Sequence, residues 1–211
     1  MSDGAARFAA RYPVVWHVIE AEGAGPWLAT MGLLPAAELL RRAGVTADGR
    51  NRDDFRRVSL NNNAVALLRP QRMPDAALTA TLGGRFRGLP DAWRQLIDEH
   101  VFFWADPRRR DRFTEACMRL RATSRSAGDT VRPVVLAFDT AALLALHGEH
   151  AYLSRFNAGS TVRGGARVRR DETTLVPVAH YRSGSVAELG LRWPKGVRLA
   201  RWGIQKRGPT T

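Results

Sequence analysis

Two polar side chains interrupt apolar stretches at opposite ends of the sequence: His17 in "PVVWHVI" and Glu188 in "SVAELGLRW". An imidazole exchanges a proton near neutral pH. A carboxylate can hold a hydroxyl group or stabilise positive charge that develops as a bond breaks. Burying either group alone is costly. The structural alternative for Glu188 is an ion pair, with Arg192 on the same strand as the candidate partner. The other chemistry-bearing residues form no motif. His17, His100, His147, His150 and His180 lack metal-ligand spacing, although His147 and His150 can meet on one helix face. The single cysteine, Cys117, permits neither an intrachain disulfide nor a thiolate metal cluster, and reads as a packed small hydrophobe. No metal site is expected. "GGRFRG" lacks the lysine and the Ser/Thr of a phosphate-binding P-loop.

The elements that must position His17 and Glu188 can be read from local pattern. Residues 13–19 are dense in β-branched and aromatic types and predict a strand. Pro26 can open a helix that directs Trp27, Leu28 and Met31 to the core and ends at Gly32. "PAAELLRRAG" predicts a second helix between Pro35 and Gly44. Residues 46–63 read as polar loop, with Asn61–Asn63 forming a turn or binding a ligand. "AVALL" predicts a brief strand cut off by Pro70. "DAWRQLIDEH" predicts a helix capped by Asp91. "HVFFWAD", residues 100–106, is continuously apolar and predicts a central strand covered on both sides. A helix from "PRRRDRF" through Cys117, a strand at 134–140 and a short helix with "DT" as its cap follow. Tyr152–Ser154 and Thr174–Pro177 predict short strands. In "SVAELGLRW" the alternation puts Val186, Glu188, Gly190 and Arg192 on one face and Ala187, Leu189, Leu191 and Trp193 on the other. Residues 1–12 read as an N-terminal arm or short helix, 13–193 as one domain and 194–211 as a basic tail. Strands interleaved with helices predict an α+β fold with a mixed sheet and flanking helices.

The chain has 211 residues and a net charge of +13, and among its 33 basic residues only Lys195 and Lys206 are lysines. Such a surface attracts polyanions, with DNA or RNA first among them. Arginines scattered by coding bias are the alternative. With 45% hydrophobic residues the chain can build a core, which excludes a wholly disordered protein. The N-terminus lacks the apolar run of a secretory signal, and no stretch is long enough to cross a bilayer. A cytoplasmic protein with no membrane partner is the expectation; oligomeric state is left open.

"VWHVIE…GPWLATMGLLP" resembles the opening of ADP-ribosyltransferase-like domains, and "HVFFWADP", "VVLAFDT" and "VAELGL" resemble later landmarks of an uncharacterised bacterial family in that superfamily. The "AEL" strand is similar to the strand bearing the catalytic glutamate in the DNA-modifying toxin branch. The resemblance spans residues 12–193 and rests on short motifs. It implies that NAD is a substrate, that His17 bonds a ribose or orients the nicotinamide, and that Glu188 holds the nicotinamide ribose while the glycosidic bond breaks. It implies a nicotinamide wall, for which Phe103 and Trp104 are candidates, with core packing as the alternative. It also implies an arginine near the diphosphate, for which Arg57 and Arg69 are candidates. There are departures. Ile19 stands where a threonine is usual, and Trp104 is the only stand-in for a tyrosine of several branches. Val186 stands where the arginine-modifying branch has an acidic residue or glutamine.

Asn157, Ser160 and Thr161 in "FNAGST" can line the substrate side of such a cleft or form an ordinary polar turn. Arg108 and Arg109 can contact phosphates or form a solvated first helical turn, where positive charge opposes the helix dipole. Two functions follow: NAD-dependent ADP-ribosyl transfer to a nucleic acid or other acceptor, and non-catalytic nucleic-acid binding on the same scaffold. In the second, Trp193 and Trp202 are candidates for stacking on bases.

Overall fold

The computed structural model describes residues 1–20, 28, 31–46, 52–60, 64–124, 133–161 and 168–192. Trp27, Asn61–Asn63, Trp193, Trp202 and the basic tail lie outside the described residues.

The first apolar segment forms β1 (Val14–Glu20), preceded by α1 (Asp3–Arg11), whose Phe8 is fully buried. The N-terminal segment is therefore a packed helix of the domain rather than a loose arm. Gly32 takes φ 74° one residue after the helical Met31, which is the stop expected there. α2 (Ala36–Arg42) runs between Pro35 and Gly44 as its terminal signals require. The polar region beyond it holds a strand that its composition conceals: β2 (Arg56–Ser59) pairs antiparallel with β3 (Val65–Leu68). Only Val58 of β2 is buried, so the strand carries almost no apolar signal.

α3 (Asp75–Thr79) and α4 (Pro90–Asp98) lead into β4 (His100–Trp104). Asp91 lies inside the first turn of α4, not at its cap, because Pro90 already occupies the first helical position. Asp91 instead takes a hydrogen bond from the buried Arg94. α5 (Pro107–Ala122) begins at Asp106, whose carboxylate accepts the Arg108 and Arg109 N–H groups. That cap offsets the unfavourable arginines of the first turn. Asp139 caps α6 (Thr140–His147) in the same way, immediately after β5 (Pro133–Asp139). The last strands are β6 (Ala151–Ser154), β7 (Val176–Pro177) and β8 (Glu188–Arg192).

The fold is α+β. Its six-stranded sheet has the order β5–β1–β4–β8–β6–β7, so the continuously apolar β4 is central, as its composition predicts. Every ladder between these strands is antiparallel. Among the described residues, the parallel pairing that a mixed sheet implies is confined to two isolated bridges, Arg72–Ser160 and Leu82–Arg170. One face of the sheet contributes Val15, Ile19, Phe103, Leu189 and Leu191 to the main core, together with Phe8, Leu33 and Leu39. A smaller core gathers Met73, Leu78, Phe86, Trp93 and Ile97. Among the described residues no helix is long and apolar enough to cross a membrane.

Candidate functional site

Register decides where the two interrupting residues point. Trp16 pairs with Trp104, Trp104 with Glu188 and Glu188 with Ser154, so these four form one row across the sheet. Directly opposed residues share a face. Glu188 therefore shares the side of Trp16 and Trp104. His17, one residue on, belongs to the opposite row and lies against Phe103 at a ring distance of 5.7 Å. Alternation alone would separate His17 from Glu188. However, β1 and β4 form only the Trp16–Trp104 pair before they part. His17 fills the breach: its Nδ1 donates to the Phe102 carbonyl at 2.8 Å, in place of a backbone ladder bond. A cavity of about 480 Å³ opens there, lined on different sides by His17 and Glu188.

Both groups are shifted by their surroundings. Loss of water pushes the His17 pKa down to about 4, against the Phe102 carbonyl, which favours the protonated ring; Arg69 adds to the fall. The imidazole is thus neutral at pH 7. Because Nδ1 holds the proton, Nε2 is left as an acceptor. Glu188 is buried, and burial pushes its pKa up to about 8. The Ala158 N–H, which donates to Oε2 at 2.9 Å, and the charges of Arg109 and Arg170 pull the other way. The ion pair considered for it is absent, since Arg192 binds Glu99 at 2.8 Å.

The remaining candidates divide. Trp104 lines the cavity and packs on Phe113 at 5.0 Å. Phe103 does not line it: it is 1% exposed and packs edge-on to Phe138, a core role. Its neighbour Phe102 supplies the wall, because alternation sends adjacent side chains to opposite faces. Gly190 allows this, as a Cβ there would come within 3.0 Å of the Phe102 ring. Arg69 lines the cavity; its Nε donates to Glu20 at 2.6 Å, while its buried Nη2 has no hydrogen-bond partner. Arg57 is exposed on β2 and lies outside the cavity lining, since β2 turns only Val58 inward.

Asn157 and Ser160 line the cavity, with Asn157 Oδ1 accepting the Gly159 N–H at 3.0 Å. Thr161 is buried elsewhere, bonding the Arg72 carbonyl through its N–H and hydroxyl. Arg108 and Arg109 are exposed at the start of α5 and outside this cavity. Sequence reasoning missed the polar frame of the wall. Arg52 grips Asp98 at 2.6 and 2.9 Å, and Gln71 donates to the same carboxylate at 2.7 Å. His100 also lines it, with Nδ1 donating to the Leu96 carbonyl and its pKa brought down to about 4 by burial. The polar residues in "LLRPQ" and "LIDEH" carry no signature beyond their apolar neighbours, so these partners become visible only in three dimensions.

Among the described residues, no group of three or more His, Cys, Asp or Glu side chains could hold a metal ion. The arrangement can instead bind an anionic or hydroxyl-rich molecule. Arg52, Arg69, Arg72 and Arg119 lie around the cavity with Glu20 and Asp98 as the carboxylates already matched to cations. The sequence matches the family described as "Family of unknown function (DUF7002)" over residues 13–192. No curated protein and no solved structure matches it significantly.

Proposed function

We propose that this chain, which belongs to that family, binds NAD in the cavity and transfers ADP-ribose to a nucleic-acid acceptor. The observation that carries the reading is that His17 and Glu188, from opposite ends of the sequence, line one cavity of ligand size. The resemblance to ADP-ribosyltransferase-like domains supplies the choice of NAD.

In this reading the bond between the nicotinamide nitrogen and ribose C1′ breaks, neutral nicotinamide leaves, and the ribose gains positive charge. Glu188 begins largely protonated at pH 7, because burial holds its pKa at about 8. Positive charge growing beside it drives its proton to solvent, and the resulting carboxylate stabilises the transition state more than the ground state. His17 accepts a ribose hydroxyl at Nε2. Arg69, Trp104 and Phe102 line the cavity; this reading assigns the guanidinium to the diphosphate and the two rings to the nicotinamide. An acceptor nucleophile then takes C1′ and loses its proton to solvent or base.

The alternative, nucleic-acid binding without chemistry, draws support from the exposed Arg108, Arg109 and Arg112 on α5. One assay separates the two. Purified protein is given NAD with and without DNA or RNA, and nicotinamide release is followed beside Glu188→Gln. The transferase reading expects release that the substitution abolishes while circular dichroism stays unchanged. Failure to bind NAD and to release nicotinamide under every condition would sink it.

A further inference from the structure

A second pocket of about 450 Å³ lies beside the Trp16–Trp104–Glu188 row, where the start of β1, the end of β4 and the segment before β8 meet. Its wall includes Arg11, Tyr12, Trp16, Asp106, Arg109 and Ser185. Trp104 belongs to the first cavity and Trp16 to the second, and the two residues are paired across β1 and β4. The same end is tied to the segment before Glu188 by the Ala105 N–H, which donates to the Ala187 carbonyl at 3.0 Å. The pocket therefore adjoins the Glu188 site without being part of it.

Its chemistry is aromatic and cationic. Tyr12 and Trp16 are half-buried rings; Tyr12 packs on Phe8 at 5.0 Å and has the Arg11 guanidinium 5.7 Å from its ring centre. Tyr12 is held in place through its hydroxyl, which accepts the Val186 N–H at 3.0 Å. Trp16 has the Arg110 guanidinium 4.8 Å from its ring centre. Asp106 is occupied as the cap of α5, so its carboxylate is already engaged by N–H groups. Arg11 and Arg109 line the pocket and are exposed, and Arg108 and Arg112 are exposed on the same helix as Arg109. Rings that offer flat apolar surface beside guanidinium groups suit a planar base carrying phosphates. A single nucleotide would engage one or two of these arginines. Arg109 and Arg112 are three residues apart, and Arg108 and Arg112 four apart, on one exposed side of α5, which continues the cationic rim away from the pocket. That extension matches a strand with successive phosphates. A paired base keeps its faces stacked within a duplex, so only an unpaired base can present one to Tyr12 or Trp16.

We propose that this pocket receives an unpaired base of single-stranded nucleic acid, stacked on Trp16 and Tyr12, with flanking phosphates on Arg11, Arg108, Arg109 and Arg112. Its role as the acceptor's seat rests on the transferase reading above; its role as a binding site does not.

The test is fluorescence anisotropy of the full chain with labelled single strands of about 12 nucleotides, the span of an ordinary single-strand site. Oligothymidine, oligouridine, a duplex and a mononucleotide are compared over a range of salt, without NAD. Single strands of either sugar are expected to bind more tightly than the duplex and the mononucleotide. Trp16→Leu should weaken single-strand binding about tenfold, and Trp16→Phe should restore most of it. Arg11→Ala with Arg109→Ala should lower the salt slope by about 1.4, the loss of two phosphate contacts on a single strand. Photocrosslinking of a 5-bromouridine strand to the unmodified protein should map to Tyr12 or Trp16, which tests the contact even if Trp16→Leu does not fold. No single-strand binding, equal binding of the mononucleotide, or crosslinks confined to other residues would overturn the proposal. Nicotinamide release without these effects would overturn the pocket and leave the transferase standing. These effects without NAD binding would do the reverse.

Discussion

Glu20 and Glu188 are both buried carboxylates in the wall of one cavity, at 3% and 4% exposure, yet their surroundings are opposite. Glu20 ends β1 between two guanidinium groups, with Arg69 and Arg121 each 2.6 Å away. Glu188 begins β8 with one backbone N–H as its hydrogen-bond donor and no direct ion pair among the described residues. A carboxylate that serves structure is expected to look like Glu20, with its charge matched at contact distance. Glu188 has charges only at longer range, and its pKa is pushed up to about 8. A group held near neutrality at the edge of a cavity is arranged for proton or charge chemistry rather than for cohesion. The same contrast separates the arginines. Arg69 is tied into the frame through Glu20 at 2.6 Å, whereas Arg109 meets Asp106 only at 3.9 Å and Arg108 is exposed at the start of α5.

The contrast can be broken most sharply at Glu20. Glu20→Ala leaves the buried Arg121 and the half-buried Arg69 without their shared carboxylate, and the cost is expected within the range for a broken buried pair, about 3–5 kcal/mol. Denaturant titration measures it; a loss below about 1 kcal/mol would show that the clamp is not structural. Glu188→Gln should act in the other direction. The folded pKa of about 8 lies above the ordinary 4.5, so folding favours the protonated acid. The stability this confers is complete below pH 4.5 and is lost as pH rises through 8. Glutamine cannot ionise, so the variant should gain on the parent across that window, by on the order of 3 kcal/mol at pH 8. That figure is kept under the ~1.4 kcal/mol per pH unit limit because protein interiors relax around a new charge. Parallel stability curves for the two proteins would contradict it.

His17 should give the smallest of these effects, with the opposite slope. Its folded pKa of about 4 lies below the ordinary 6.5, so folding favours the neutral ring. Its contribution is present above pH 6.5 and disappears as pH falls through 4. His17→Gln should remove ~2 kcal/mol of acid sensitivity, the residue's partial exposure reducing the full value. His100 titrates in the same range, so the difference between variant and parent is the quantity to measure. A direct check is the NMR titration of the His17 ring, where an ordinary midpoint would refute the predicted burial effect.

Sequence patterns alone located β1, β4 and β5, the helix between Pro35 and Gly44, the cap at Asp139, and the face that Leu189 and Leu191 turn to the core. All of these are set within a few residues, by apolar runs, proline, glycine and capping side chains. The exposed β2 escaped notice because hydrogen bonding to β3, rather than apolar content, defines it. Asp91 carries a cap signal although it lies two positions past the true cap, Leu89, because aspartate favours both the cap and the first turn. The sequence also marked His17 and Glu188 as polar residues out of place. It did not determine that they share a cavity, nor that Phe102 rather than Phe103 forms its wall, nor that Arg69 is placed there while Arg57 is not. Those outcomes depend on where β1 parts from β4 and on the register of β8 against β4. Strand register is fixed by contacts between segments far apart in the chain, and one step of register exchanges every side chain between faces.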